Sequence, residues 1–382
     1  MYEEYMDRGY SAPPDRNVCN SHFKDYAIKS FIKDNSIHGS CDYCNTKSCV
    51  LSLNSLSEFL NSGISFFYGS PENEGVAWDS SEGGWQLASV IDAYDLFSGD
   101  IGLEVDNQNL YDDIINCFTD NQWCLKDPYG MTEFEELSYS WEHFCNITKH
   151  KIRYSFFKSK NFDLDKYNKL TDILYDITAG IDQFGLIKSL NMGKVILRGR
   201  QHKVKENIDS FDQLTSPPNK LATANRMSPA GISMFYGAFD KKTTIKEVKD
   251  KKSIKAKPVI TIGLFELIKN LNVVDFTHLP QMPSIFDEGR RTDYFRLSFL
   301  YSFVRDLSKR IERDDRVHIE YVPTQIITEF LRFIYPIIVK QGIDGVVYKS
   351  SKKNTGNCIV LFLDHDDSKN YLDLTSTKTI NI

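Results

Sequence analysis

Through much of the first half of the chain, apolar residues recur at three- and four-residue steps. The stretches "LSEFL" (56–60), "WQLASVIDAYDLF" (85–97), "LYDDIINCF" (110–118), "FEELSYSWEHFCNITK" (134–149) and "YNKLTDILYDITAGIDQF" (167–184) all carry this spacing. It predicts amphipathic helices and a small helical bundle over residues 55–190. Near residue 191 the texture changes. "GKVILRGRQH" (193–202) and "SMFYGAF" (233–239) read as strands, and "TSPPNK" (215–220) as a loop. "KPVITIGLFELIKNLNVVDF" (257–276) predicts a strand, a helix and a second strand. "YFRLSFLYSFVRDLSKRI" (294–311) is amphipathic helix. "VPTQIITEFLRFIY" (322–335) predicts a helix with Pro323 in its first turn, interrupted at Pro336. "DGVVYKS" (344–350) and "NCIVLFLD" (357–364) are strand-like runs joined by a polar loop. Residues 191–382 therefore form an α+β or α/β domain.

Length and composition agree with a soluble multidomain chain of 382 residues, 41% hydrophobic and 26% charged. The charge is uneven, and that narrows the function. Residues 1–190 carry a net −15 and residues 191–382 a net +9. An anionic small molecule is expected in the basic half, and the acidic half argues against a broad nucleic-acid surface. The eight lysines of 241–257 read as a solvated face. The N-terminus has no apolar leader, and no run approaches the ~20 apolar residues of a membrane helix. A cytoplasmic protein is expected, with no membrane and no nucleic-acid partner.

The eight cysteines are too sparse and irregular for a disulfide scaffold. Four ligand-type residues are regular. Cys19-x2-His22 and Cys41-x2-Cys44 are two knuckles separated by 18 residues. Each two-residue gap lets both side chains reach one ion, so the pair predicts a closed tetrahedral zinc site with a structural role. Cys49 is a substitute ligand; His38 reads as a surface residue. Residues 1–54 are the zinc-binding segment.

The segment "NRMSPAGISMFYGAFDKKTTIKEV" (225–248) places Arg226, Tyr236 and Glu247 at spacings of 10 and 11. The guanidinium fork suits a pyrophosphate. The phenol suits stacking on a nicotinamide or its ribose. The carboxylate can accept a ribose hydroxyl and stabilise positive charge on the sugar. Together they fit cleavage of a glycosidic bond in a dinucleotide.

These residues resemble the RES-domain family, named for an Arg, a Glu and a Ser. "NRMSPAGISMFYGAFDKKTTIKEV" nearly reproduces one subgroup. "LRGRQH" (197–202) is similar to the opening strand, "EYVPTQIITEF" (320–330) to the central segment, and "VVYKSSKKNTGNCIVLF" (346–362) to the closing one. The last match assigns Ser350, with Ser351 as fallback. The subgroup's N-terminal extension, two Cys-x2-Cys knuckles and a HEPN-like helical region, resembles residues 1–190, least so from 55 on. His22 replaces a Cys and Asn225 replaces the Gly before the Arg. Asn tolerates a left-handed turn. No Arg-x(4–6)-His motif of HEPN ribonucleases occurs in 55–190.

The resemblance implies a C-terminal ADP-ribosyltransferase-like split mixed sheet over 191–382. It implies a toxin that degrades NAD⁺, releasing nicotinamide, with inorganic phosphate as acceptor. Arg226, Tyr236, Glu247 and Ser350 are then the catalytic set. Arg198, Arg200, Tyr348 and Asn357 bind the dinucleotide, and Zn²⁺ sits on Cys19, His22, Cys41 and Cys44. An antitoxin or regulatory protein, and a homo-oligomer, are the implied partners. Two other readings remain: ADP-ribosyl transfer to a protein or nucleotide, and a non-catalytic zinc-containing binding module. Thr324 and Gln325, after a helix-starting Pro, read mainly as cap and packing residues.

Overall fold

The computed structural model of the protein describes residues 9–119, 121–154, 170–249, 258–309, 316–352 and 356–381. The chain forms two compact units, Met1–Glu135 with Gln281–Leu297, and Glu136–Pro280 with Ser298–Ile382.

In the first unit, Asn17–Cys19 (β1), Ile37–Ser40 (β2) and Lys47–Ser52 (β3) make an antiparallel sheet with β3 central. Helices Tyr26–Asp34, Leu53–Phe67 and Gln108–Asn116 each start on a capping side chain. Asp25 accepts from the amides of Ala27 and Ile28, Ser52 from Ser55, and Asn107 from Leu110. Their apolar faces bury Ile28, Leu56, Leu60, Ile64 and Ile114 with Phe23, Phe97, Phe118 and Phe286. Tyr68–Gly69 (β4), Trp78–Asp79 (β5), Gly84–Trp85 (β6) and Cys124–Leu125 (β7) are two-residue strands, β4 pairing with β7 and β5 with β6.

The helix expected over 85–97 is not continuous. Its first residues close the β5–β6 hairpin, and Leu87 takes a left-handed φ of 64° with its side chain exposed. Helix begins only when Asp92 caps the turn Ala93–Asp95, which passes into a π-helical turn at Leu96–Asp100. A local cap and a hairpin override the apolar spacing.

The second unit is built on an eight-stranded mixed sheet. Its strands are Ile187–Leu190 (β8), Val195–Lys203 (β9), Phe235–Ala238 (β10), Pro258–Leu267 (β11), Leu271–Asp275 (β12), Gly345–Lys349 (β13), Asn357–Leu361 (β14) and Leu372–Asn381 (β15). Their order is β15-β11-β9-β10-β14-β13-β12-β8, and among the described residues the one parallel pair is β12 with β13. Phe235, Phe265, Leu267, Val273, Val347, Ile359 and Leu361 form an apolar layer over one face with Leu214. Burying Phe235 there contributes on the order of 2 kcal/mol.

The helix expected within 257–276 does not form. Glu266 and Leu267 stay in β11, Glu266 paired with both β9 and β15 and Leu267 with β15, and the chain turns directly into β12. Ladder pairing on two edges outweighs the local helical spacing of "ELIKNL". Helices Tyr294–Ser308 and Val322–Glu329 match the sequence pattern. Beyond Val322–Glu329 a π-helical turn, Phe330–Ile334, precedes the helix Tyr335–Val339, which carries Pro336 in its first turn. The run His318–Val339 is long and apolar enough to cross a membrane by length and composition only, a test that a buried core helix also passes, and half of its apolar window is buried in the fold.

The sheet is discontinuous at one place. β10 pairs with β14 along its whole length but with β9 only at Ala238↔Leu197. From that point the two strands diverge, and among the described residues the β9–β10 ladder register does not continue past Leu197. Gly237 permits the single close approach, since a Cβ there would lie 2.4 Å from Ile196 Cγ2.

Candidate active site

The gap between β9 and β10 opens into a cavity of about 1280 Å³. Arg198, Arg200, Arg226, Tyr236, Glu247 and Tyr348 all line it, with Tyr321, Ser351, Lys352 and Cys358. Residues 198, 226, 247 and 348 lie on four separate segments of the chain, brought to one space by the fold.

Arg198 bridges the gap: its Nη1 donates to the carbonyl of Tyr236 at 2.7 Å, and its guanidinium lies 5.2 Å from the Phe235 ring centre. Burial pushes this guanidinium down to about 10, so it remains a cation at neutral pH. Arg200 is more exposed and donates to the Gln213 carbonyl at 2.7 Å.

Arg226 sits in a tight turn in which the amides of Asn225 and Ser228 each bond the other's carbonyl. Its Nη2 donates to the Lys309 carbonyl at 2.6 Å, and the guanidinium is 5.4 Å from the Tyr321 ring centre. Asn225 has no positive φ, so it does not use the left-handed tolerance expected of it; Gly231, in "SPAG", takes that conformation at φ 87°. Ser228 lies 2.9 Å from the Tyr236 hydroxyl. Burial raises the Tyr236 and Tyr348 phenols above their ordinary range, so both stay neutral donors.

Glu247 is on the helix Lys241–Val248, capped by Asp240. Burial pushes the Asp240 carboxyl up, but bonds from the hydroxyl and amide of Thr243 outweigh it and hold it below its ordinary value. Gly199 lets this helix lie directly on β9, because a Cβ there would be 3.1 Å from both Thr244 and Val248. Glu247 Oε1 accepts a hydrogen bond from Ser350 Oγ and lies 3.8 Å from Cys358 Sγ. Burial raises the Cys358 thiol, and the Glu247 carboxylate adds to the effect.

Ser350 itself is not among the lining residues; Ser351 is. Ser350 meets the site through Glu247. Asn357 also stays out of the lining, its carbonyl accepting from the Phe239 amide at 3.3 Å. Tyr321 and Cys358 had no assigned role in the sequence. Tyr321 lies within "EYVPTQ", and Cys358 directly follows Asn357, so both were adjacent to noticed motifs without a signal of their own.

The first unit holds a separate constellation. The ligand atoms of Cys19, His22, Cys41 and Cys44 all lie within 4.8 Å of one another. Cys19 Sγ is 3.7 Å from Cys44 Sγ, and Cys41 Sγ is 3.4 Å from His22 Nε2. Asn45, at φ 56°, closes the second knuckle, its amide donating to the Cys41 carbonyl at 2.8 Å. His22 Nδ1 is 2.6 Å from Asp106 Oδ1, which leaves Nε2 to face the cluster. Hydrogen bonds from the hydroxyl and amide of Thr46 lower the Cys44 thiol to about 6, favouring the thiolate that a metal requires. The donor set suits a tetrahedral zinc ion. Cys49 and His38 face each other across β2 and β3 on the exposed side, away from the cluster.

A family model described as RES domain matches residues 200–377, and one described as HEPN/RES N-terminal domain 1 matches residues 34–162. The chain belongs to the RES-domain family. The RES match contains every cavity residue named above except Arg198. The HEPN/RES match begins between the two knuckles, taking in Cys41 and Cys44 but not Cys19 and His22. Among curated proteins and among solved structures, none matches this chain.

Proposed function

We propose that this RES-domain protein cleaves the nicotinamide glycosidic bond of NAD⁺ by phosphorolysis, giving nicotinamide and ADP-ribose phosphate, and acts as a toxin. RES domains are associated in general with NAD⁺ cleavage. The observation that carries the reading for this chain is one cavity lined by Arg226, Tyr236 and Glu247, with the Ser350 hydroxyl on the Glu247 carboxylate. The discontinuity between β9 and β10 is what an ADP-ribosyltransferase-like split sheet would require. In this reading 191–382 is the catalytic domain, 55–190 the HEPN-like part and 1–54 the zinc-binding segment.

The chemistry follows from the side chains. Arg226 pairs with the pyrophosphate, and Arg198 and Arg200 add positive charge along the same wall. Tyr236 and Tyr348 pack on the nicotinamide riboside, and Asn357 helps to shape the dinucleotide site. As the C–N bond to nicotinamide breaks, positive charge develops on the ribose. Glu247 accepts from a ribose hydroxyl and stabilises that charge. Nicotinamide leaves as a neutral base, taking the bonding pair. Phosphate oxygen then forms the new bond to the anomeric carbon. Ser350 holds the Glu247 carboxylate in place and so acts on the ribose or the phosphate through it.

Purified protein incubated with NAD⁺, with and without phosphate, tests this when products are identified by mass spectrometry. Nicotinamide with ADP-ribose phosphate is the expected result. Free ADP-ribose would replace phosphate by water as acceptor. Modified protein would mean transfer, and intact NAD⁺ would overturn the reading.

A further inference from the structure

The segment "VPTQ" reads as a helix start, and nothing in the proposed chemistry uses it. The structure gives its side chains a specific task. The helix Val322–Glu329 begins with Pro323 in its first turn, so its orientation at this end is fixed by the chain rather than by a side-chain cap. Gln325 then reaches the turn that carries Arg226. Its Nε2 donates to the carbonyl of Asn225 at 2.8 Å and to the carbonyl of Ser228 at 3.1 Å. A primary amide has two N–H protons, and here each has one acceptor. Thr324 Oγ1 donates to the carbonyl between them, that of Arg226, and also lies 2.9 Å from the Tyr321 carbonyl of its own helix. Thr324 is buried, and so is Met227, which packs against Thr328 one helical turn on. Three of the four carbonyls of the Asn225–Ser228 turn are thus bonded to two adjacent side chains about a hundred residues away in sequence. The ring of Tyr321, just ahead of them, lies against the Arg226 guanidinium.

We propose that Gln325 and Thr324 are positioning residues for Arg226, setting the direction in which its guanidinium enters the cavity and so the binding of the dinucleotide's pyrophosphate. This rests on the reading of Arg226 as the pyrophosphate ligand. Neither residue is among those lining the cavity, so their effect must pass through the turn. Gln is required rather than merely tolerated. Glu offers no proton to two carbonyls, and Met fills the same space without donating.

The test uses the full-length protein as wild type, Gln325→Met, Arg226→Ala and the double variant, with Thr324→Val as a second probe of the same turn. Steady-state NAD⁺ consumption gives KM and kcat, and amide hydrogen exchange is followed over residues 225–228. Gln325→Met is expected to raise KM about tenfold while lowering kcat less, because the interaction lost is one of substrate binding. In the Arg226→Ala background the same substitution should change KM less than about twofold, since its effect has no other route. Exchange over 225–228 should accelerate in Gln325→Met and in Thr324→Val. An unchanged KM and unchanged exchange in both single variants would overturn the proposal. So would a tenfold effect that persists without Arg226. If wild-type protein leaves NAD⁺ intact, the catalytic reading fails instead, and hydrogen exchange alone then decides whether these side chains hold the turn.

Discussion

At the scale of single residues, Glu247 is the sharpest point of attack. Among the described residues it is the one carboxylate lining the cavity, and its Oε1 takes the Ser350 hydroxyl. Glu247→Gln keeps the size and removes the charge. Turnover of NAD⁺ should fall about 10²-fold or more, with little change in thermal stability. Equal rates in the variant and the wild type would remove Glu247 from the mechanism. Arg198 offers a pH signature. Burial disfavours the cation and pushes this guanidinium down to about 10, well below its ordinary range. The cost of burying that charge is present in full below pH 10 and is relieved as pH rises through 10 towards the ordinary guanidinium range. Ligand binding runs the other way, since an anion needs the cation. ADP-ribose affinity is expected to drop about twofold between pH 8 and pH 10, where half of the guanidinium has lost its proton, and to stay flat over that range in Arg198→Gln; titration calorimetry would show it.

At the scale of elements, the site depends on a helix and a loop held in register. Thr243 is fully buried, donates to the Asp240 cap and accepts from the Gly356 amide at 2.7 Å. It therefore joins the helix bearing Glu247 to the start of β14, which follows the Ser350 loop. Thr243→Val should cost about 1–2 kcal/mol by orphaning the Gly356 amide, measurable by urea unfolding. Thr243→Ser, which keeps the hydroxyl, should recover most of it.

How far such arrangements were legible varies with range. The helices Leu53–Phe67 and Glu133–His150 and the strand β9 followed from periodicity, because local pattern and burial agree there. The expected helices at 85–97 and around "ELIKNL" failed where hairpin pairing competed with spacing. β15 went unread: "LDLTSTKTIN" is mostly polar and exposed, and its pairing with β11 is invisible in isolation. Arg226, Tyr236 and Glu247 were legible as a motif within two dozen residues. The roles of Tyr321, Gln325, Thr243 and Cys358 were not, because each depends on a contact between distant segments.

At the scale of the whole molecule, the metal cluster and the cavity are separate constructions with separate tests. Purified protein should contain close to one zinc per chain by elemental analysis, lost in Cys41→Ser. Four protein ligands leave no open coordination position, so chelation should lower the melting temperature without supplying or removing a catalytic group. A protein isolated without zinc, with an unchanged melting temperature in Cys41→Ser, would mean the thiols are incidental. The division of the chain into units carries a further consequence. β12 and β13 run parallel, so the chain must travel from one end of the sheet to the other between them. That journey includes residues 281–297, which belong to the first unit, where the ring of Phe286 lies over Gly63 so closely that an added methyl would sit 2.4 Å from it. No single cut in the backbone can separate the two units. A fragment ending near residue 190 would lack the Phe286 plug of its own interior, and one starting there would carry an apolar strap with nothing to cover. Each should express poorly alone, and co-expression of both pieces should restore solubility.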